Sequence, residues 1–199
     1  KIPLSAAIDL DDMLDSRASF ITEVDGEEHP VHGVLSSLDE LQTVLGYVYF
    51  RAVLTPRLWS LSTYKTNEIY TEEKTVDQIV RTVLESAGLA EDFDYDFNGL
   101  NKDALLQRDY ICQFGESDFD FISRLMENEG ISYYFDQTGP VEKIMFINDM
   151  NYEEITKPGL IYDVAVQTNR LQDSIHAWIC RSQRLAASVT VRDFNPNPP

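Results

Sequence analysis

Between Gln107 and Phe135 the chain reads QRDYICQFGESDFDFISRLMENEGISYYF, a run that leaves little freedom in how it folds. Tyr110, Cys112 and Phe114 alternate with Ile111 and Gln113, the period-2 pattern of a strand with one face inward. Gly115 and Glu116 break that pattern. Ser117 stands where a helix N-cap is wanted, its hydroxyl able to accept from an otherwise unpaired first-turn amide. Asp120, three residues on, makes an approximate capping box, and Asp118 and Asp120 place negative charge at the positive end of the helix dipole. Phe119, Ile122 and Met126, widened by Phe121 and Leu125, form one apolar stripe. Arg124 follows Asp120 by four residues, a surface pair worth ~0.3 kcal/mol. Gly130 ends the helix where a left-handed backbone is needed. Ile131, Tyr133 and Phe135 then alternate with Ser132 and Tyr134 as a second strand.

Charge narrows the partners. The 199 residues carry 34 acids against 16 bases, a net charge of −18. Such an excess argues against nucleic acid, whose phosphates require clustered Lys and Arg, and against an anionic membrane surface. It favours solubility and would attract a basic partner surface. The length suits one large domain or two or three small subdomains sharing a core. Sparse use of cysteine, at Cys112 and Cys180, fits a reducing compartment with both thiols as small core hydrophobes; pairing between them stays open. The sequence carries no signal peptide and no apolar run near membrane-spanning length. It opens on Lys1-Ile2-Pro3 without a Met and closes on Asn195-Pro196-Asn197-Pro198-Pro199, which resembles a linker. We therefore expect a piece of a longer protein.

Along the chain, Ala6–Leu10 is a strand candidate and Asp11-Asp12 opens a short helix or turn through Leu14. Ser19–Val24 alternates and meets Asp25-Gly26, a hairpin signal, with Val31–Leu38 as the returning strand. Tyr47–Leu54 is the clearest strand here, Tyr47, Tyr49, Arg51 and Val53 on one face and Val48, Phe50, Ala52 and Leu54 on the other. Such closely spaced strands predict a small antiparallel barrel or sandwich. Leu58-Trp59-Ser60-Leu61 packs back as a connection. Thr75 starts a helix with the full capping box Thr-x-x-Gln, closed at Gln78. Val76, Ile79, Val80, Val83, Leu84 and Ala87 recur at helical spacing, and Gly88 caps the end. The acidic run Glu91–Asp96 reads as a solvated loop. Lys143–Ile147 is a third strand, pairing with Ile131–Phe135. Beyond a boundary at Thr156–Gly159, Ile161–Val166, Ile175–Ile179 and Ser188–Phe194 read as strands of a second β unit.

Chemistry finds little purchase. His29, His32 and His176 lack the spacing of a metal site, and there is no CxxC or Cys/His cluster. Neither a nucleophile elbow, nor a Walker loop, nor a dinucleotide fingerprint is present. Carboxylates are too abundant for any pair to stand out as a glycosidase couple. Glu127 and Glu129 point to different helix faces. Twenty Tyr and Phe residues without bases around them fit a packed core or a protein interface better than base stacking.

The segment Leu106–Phe135 resembles the signature of the VgrG spike proteins of type VI secretion systems. Arg108, Tyr110, Cys112 and Phe114 lie in or beside its strand part, with spacing displaced by about one residue around Tyr110–Gln113. Glu116, Ser117, Asp118, Phe121, Arg124, Leu125, Glu127, Glu129, Gly130, Ile131, Tyr133, Tyr134 and Phe135 match outright. Upstream, His32-Gly33-Val34 resembles that family's hydrophobic-H-G strand, Pro56-x-Leu58-Trp59-x-Leu61 its P-x-L-W-x-L, and Thr75-Val76-x-x-Ile79 its helix start. Downstream, Val191–Pro196 resembles the segment leaving the domain.

The resemblance implies a mixed α+β, β-rich, phage tail-hub-like fold: two small antiparallel β-barrel-like units joined by an α/β segment. The corresponding divisions here are residues 1–61, 62–158 and 159–199. The implied job is mechanical, a homotrimeric hub between a hexameric tube (the Hcp protein) and a membrane-puncturing spike, touching baseplate proteins and possible effectors. It would reside in the bacterial cytoplasm before firing and be secreted or injected afterwards. The resemblance implies no catalytic residue, metal or cofactor in this region. A phage or prophage baseplate hub is the alternative, and an acidic-cleft hydrolase a more distant one. Tyr47–Leu54 and Ile131–Phe135 are the candidates for core and subunit contact.

Overall fold

Hairpin geometry builds the first sheet. Val24 pairs with Glu27 across a tight turn in which Gly26 has φ of 82°, joining β2 (Arg17–Val24) to β3 (Glu27–Val44). A second tight turn, at Leu45 and Gly46 with φ of 48° and 80°, joins β3 to β4 (Tyr47–Thr55). Two consecutive positive φ values match the twist of a two-residue hairpin, and a leucine in the first position hid this turn from sequence reading. β1 (Ile2–Pro3) adds to the far edge, giving the antiparallel order β1-β4-β3-β2. The returning strand is longer than Val31–Leu38 because two register shifts, Leu35/Ser37 and Glu40/Gln42, absorb extra residues as bulges. Asp9 caps α1 (Leu10–Met13) by accepting from the Asp11 amide at 3.0 Å. Leu10 is therefore helical, and the rest of the strand expected at Ala6–Leu10 lies almost wholly outside the described residues. The computed structural model describes residues 1–3, 9–24, 26–71, 73–149, 161–162, 174–175, 177–184, 186–188 and 190. It divides the chain into two compact units, Lys1–Tyr152 and Glu153–Pro199.

The rest of the first unit is an α/β layer. A 3-10 helix, Arg57–Ser62, buries Leu58 and Leu61. It is followed by β5 (Lys65–Tyr70), α2 (Val76–Ser86), β6 (Tyr95–Gly99), β7 (Ile111–Ser117), α3 (Asp118–Glu129), β8 (Ser132–Asp136) and β9 (Lys143–Ile147). β5 pairs antiparallel with β7. β9 pairs antiparallel with β8, as expected, and parallel with β6. The helix expected at Thr75 forms as read: Gln78 accepts from the Thr75 amide at 3.1 Å, and Val76, Ile79, Val80, Val83 and Leu84 are buried. These side chains meet Phe121, Ile122, Tyr95 and Phe146 in one core.

Three expectations fail here. Ile111 and Gln113 are the inward residues of β7, while Tyr110 and Phe114 are exposed, because the inward face is set by packing on α3 and not by apolar content. Gly115 does not break the strand: with φ of 62° it is the extra residue of a bulge opposite Thr66/Asn67, and β7 runs on to Ser117. Glu91–Asp96 is a solvated turn only in its first half, where Asp92 and Phe93 are exposed; Asp94, Tyr95 and Asp96 are buried and Tyr95 opens β6. β5, with its polar sequence KTNEIY, was not foreseen either.

Gly130 takes φ of 69°, the left-handed cap expected of it. Gly130→Val is expected to lower stability by about 2 kcal/mol, since a β-branched residue is strained there; urea denaturation followed by far-UV circular dichroism reads this directly.

In the second unit, β10 (Ile161–Tyr162) pairs parallel with β11 (Ser174–Ile175). Ala177–Cys180 is not strand, so the run expected at Ile175–Ile179 stops early. Residues 163–166 and 191–194, which complete the other two expected strands, lie outside the described residues. Both cysteines are free, and Cys180 is exposed instead of serving as a core residue.

Candidate functional site

The signature helix is held by its own first turn. Ser117 accepts from the Asp120 amide at 3.1 Å and donates its hydroxyl to Asp120 Oδ2 at 2.7 Å. Asp118 accepts from Gln113 Nε2 at 2.8 Å and Thr66 Oγ1 at 3.1 Å, so it ties α3 to both strands of the β5–β7 sheet. Arg124 does not pair with Asp120. It reaches Glu116 at 2.6 Å and the Cys112 carbonyl at 3.2 Å, because Asp120 is already engaged at the cap. Glu129 pairs with Arg108. Phe121, Leu125 and Ile131 are buried, Tyr133 and Phe135 are half-buried against the core, and Tyr134 is exposed. All of these side chains except Tyr134 hold α3 and its flanking strands together.

The other signature residues lie at a different place. The four-stranded sheet and the 3-10 helix after it meet the rest of the α/β layer through polar contacts between residues far apart in sequence. The His32 amide donates to Gln137 Oε1 at 2.7 Å, and the Arg57 amide donates to Glu142. Asp94 Oδ1 accepts from Arg17 at 2.6 Å and Arg57 at 2.9 Å, while Oδ2 accepts from the Ala90 amide at 2.8 Å. Burial pushes the Asp94 carboxyl up, but the Ala90 amide and the two guanidiniums outweigh it and hold it below the usual carboxylate range. Glu142 goes the other way: burial raises it, and the Arg57 amide only partly offsets this. His32 and Gly33 line a cavity of about 250 Å³ with Arg17, Ser19, Arg57 and Glu142. Pro56 precedes the 3-10 helix, where its carbonyl accepts from the Trp59 amide at 2.9 Å; Trp59 itself is 44% exposed. Sequence reasoning identified His32, Gly33 and Pro56 but missed Arg17, Arg57, Asp94 and Glu142.

Gly33 is required by close approach. A Cβ there would lie inside contact distance of the Thr55 carbonyl oxygen and 3.1 Å from its carbon, both backbone atoms of the paired strand. Gly33→Ala is expected to cost about 2 kcal/mol through overpacking that no side chain can relieve, measurable as a lowered urea midpoint.

A carboxylate couple would need two free carboxyls facing a substrate. Asp94 spends both oxygens on internal partners, so Glu142 has no such companion. Among the described residues no three His, Cys, Asp or Glu side chains converge as a metal site, and no helix is long and apolar enough to cross a membrane. The polar contacts join the four-stranded sheet and the 3-10 helix to the strands and helices beyond them.

Residues 3–199 match the phage tail baseplate hub (GPD) family. The chain belongs to that family. Two curated relatives from Pseudomonas aeruginosa are type VI secretion system spike proteins. VgrG1b is 25% identical over 190 residues, covering 94% of this chain and 25% of that protein. VgrG5 is 29% identical over 194 residues, covering 96% and 24%. A third, the actin cross-linking toxin VgrG1 of Vibrio cholerae, is 25% identical over 169 residues, covering 85% and 15%. Among solved structures, the E. coli c3393 protein, a type VI secretion component with structural similarity to the T4 tail proteins gp27 and gp5, aligns with a TM-score of 0.66 at 28% identity. That alignment covers 79% of this chain and 42% of c3393. The chain thus spans a quarter or less of these curated relatives' length. The hub family supplies the class, a mixed α/β, strand-rich tail-hub fold with a structural role.

Proposed function

We propose that this chain is the hub region of a VgrG-type spike, a trimer linking a hexameric, Hcp-like tube to the spike of a contractile injection machine. The observation that carries this reading is the hub-family match over residues 3–199 together with spike proteins aligned over nearly the whole chain. In this reading residues 1–61 and 159–199 contribute to two barrel-like units, and 62–158 is the α/β segment between them. The chain itself performs no reaction; any activity such as that of the toxin relative would reside elsewhere in the full protein. Baseplate proteins and effectors are its further partners, and injection follows residence in the bacterial cytoplasm.

Exposed apolar side chains support assembly. Phe20 and Val31, paired across β2 and β3, are 62% and 49% exposed, and Phe114 on β7 is 82% exposed. Apolar surface of this kind marks protein contacts. Tyr47, Tyr49 and Tyr134, on the two strands singled out above, are also exposed.

Electron microscopy of the intact protein tests the proposal: a threefold ring is expected, and a monomer at micromolar concentration overturns it. The family description equally admits a phage or prophage tail hub. Co-purification with a hexameric secretion tube protein, against a phage tube protein, separates the two.

A further inference from the structure

The two hairpins of the four-stranded sheet carry opposite surfaces. The β2–β3 turn is acidic, with Glu23, Asp25, Glu27 and Glu28 close in sequence. Glu23 faces Glu28 directly across the strands, a like-charge pairing that costs stability. The β3–β4 turn is charge-free: residues 41–50 read LQTVLGYVYF. Asp39, Glu40 and Arg51 border it, and Asp39 and Arg51 pair at 2.8 Å. This hairpin also projects. β2 pairs with β3 only as far as Val34, whereas β3 and β4 stay paired out to Val44 and Tyr47. Leu45, at the tip, is 94% exposed and has φ of 48°. That backbone is strained for a leucine, and a two-residue turn of this kind prefers Asn-Gly. The other non-glycine residues with positive φ among the described residues, Asp15, Glu73 and Asp92, are all polar. Val44 and Tyr47 face each other across the turn, Tyr49 follows on the same face of β4, and all three are exposed. Leu45 therefore crowns an apolar set and does not stand alone. Strain and exposure at one apolar residue together point to what that side chain meets.

We propose that the tip of the β3–β4 hairpin is the contact each copy of this chain makes on the next, with Leu45 as the side chain buried there. The inference rests on the trimeric reading above and adds to it the element that makes the contact. Charge selects the occupant. Each copy carries −18, so copies repel wherever acidic surfaces meet and approach most closely through a charge-free element. A basic partner would be drawn instead to the acidic β2–β3 turn. Symmetry agrees. A threefold ring closes through heterologous contacts, one surface of each copy against a different surface of its neighbour. A projecting tip can serve as one of the two without meeting its own counterpart. Burying Leu45 against the neighbour removes its apolar surface from water, which favours association and concentrates the effect at one residue.

Leu45→Asn separates contact from fold. It creates the Asn-Gly turn such a hairpin prefers, so thermal unfolding at a dilution where both proteins are monomeric should occur at the same temperature or higher. Sedimentation of the intact protein should nevertheless show the trimer dissociating at a concentration at least about tenfold higher, the loss expected when one leucine is no longer buried. Leu45→Met keeps an apolar side chain and should retain association. Glu28→Gln, at the other hairpin, should leave association unchanged or tighten it. Added salt should tighten it as well, because screening weakens repulsion between copies and the tip carries no ion pair to lose. A monomeric wild type overturns the trimeric reading and this inference together. A trimeric wild type whose dissociation is unmoved by Leu45→Asn overturns this inference alone, whether the tip then proves to bind a tube protein, a vesicle surface or nothing. Loosening by salt, an equal loss in Leu45→Met, or an unfolded Leu45→Asn overturns it too, the last by showing that the leucine serves the fold.

Discussion

Asp94→Asn is expected to destabilise the chain by about 3 kcal/mol, the low end of the range for removing one partner of a buried ion pair. The low end applies because Arg17 and Arg57 keep 37% and 28% of their side-chain surface exposed, against 6% for Asp94, and water screens the guanidiniums left behind. The asparagine carbonyl can replace one acceptor, not both. Arg57 should suffer more than Arg17, since it also donates to the Gly88 carbonyl at 2.9 Å and its amide to Glu142. Urea unfolding at neutral pH measures the loss.

The same substitution has a signature in acid. Asp94 titrates below its ordinary value of 3.8 in the folded state. Its contribution is therefore fully present above that value and is lost as pH falls through the folded one. The mutant should show a shallower decline in melting temperature below about pH 4 than the wild type. Glu142 would respond oppositely. With Asp94 neutral, one influence raising the Glu142 carboxyl disappears, while the charge of Arg17 still favours its ionised form. Some of the lost stability is thus recovered through Glu142. The double variant Asp94→Asn/Glu142→Gln should lose more stability than the two single losses added together, a coupling expected only for neighbours.

This joint shows where sequence reading stops. α2 and α3 were legible because their signals are local: a cap, a 3.6-residue stripe and a glycine stop lie within about a dozen residues. The Asp94 cluster has no local signal. Its counter-ions arrive from Arg17, 77 residues away, and Arg57, 37 away, so the second half of an acidic run read as solvated is in fact buried, while Asp92 and Phe93 are exposed. β5 failed for a related reason: it is polar because only Thr66 and Tyr70 turn inward, and its pairing with β7 is non-local. The Arg124–Asp120 spacing was real, yet a competing acceptor, Glu116, lay within reach once β7 packed against α3. Of the signature residues, His32 and Gly33 were visible as a motif, but their neighbours in the cavity were not.

Phe121→Ala should be the more damaging change, at about 4 kcal/mol. Phe121 is fully buried, stacks on Tyr70 with ring centroids 5.4 Å apart, and has the Arg124 guanidinium 5.5 Å from its ring. Truncation leaves a cavity in the buried core, for which Phe→Ala changes cost about 3–5 kcal/mol. The consequence should not be uniform. β5 and β7 form a two-stranded sheet whose outer face, with Phe114 and Ile69, is exposed. Such a sheet is marginal without a packed face, and Phe121 meets it through Tyr70. β8 and β9 retain Phe146, stacked on Phe97 at 4.7 Å. Amides of β5 and β7 should therefore lose more exchange protection than those of β8 and β9. Phe121→Leu, which refills most of the volume, should restore much of it. An even loss across both sheets would mean that the β5–β7 sheet is anchored by the polar contacts of Asp118 and Arg124 and not by the aromatic stack. The two anchors differ in salt dependence, because screening weakens exposed ion pairs and leaves ring stacking unchanged.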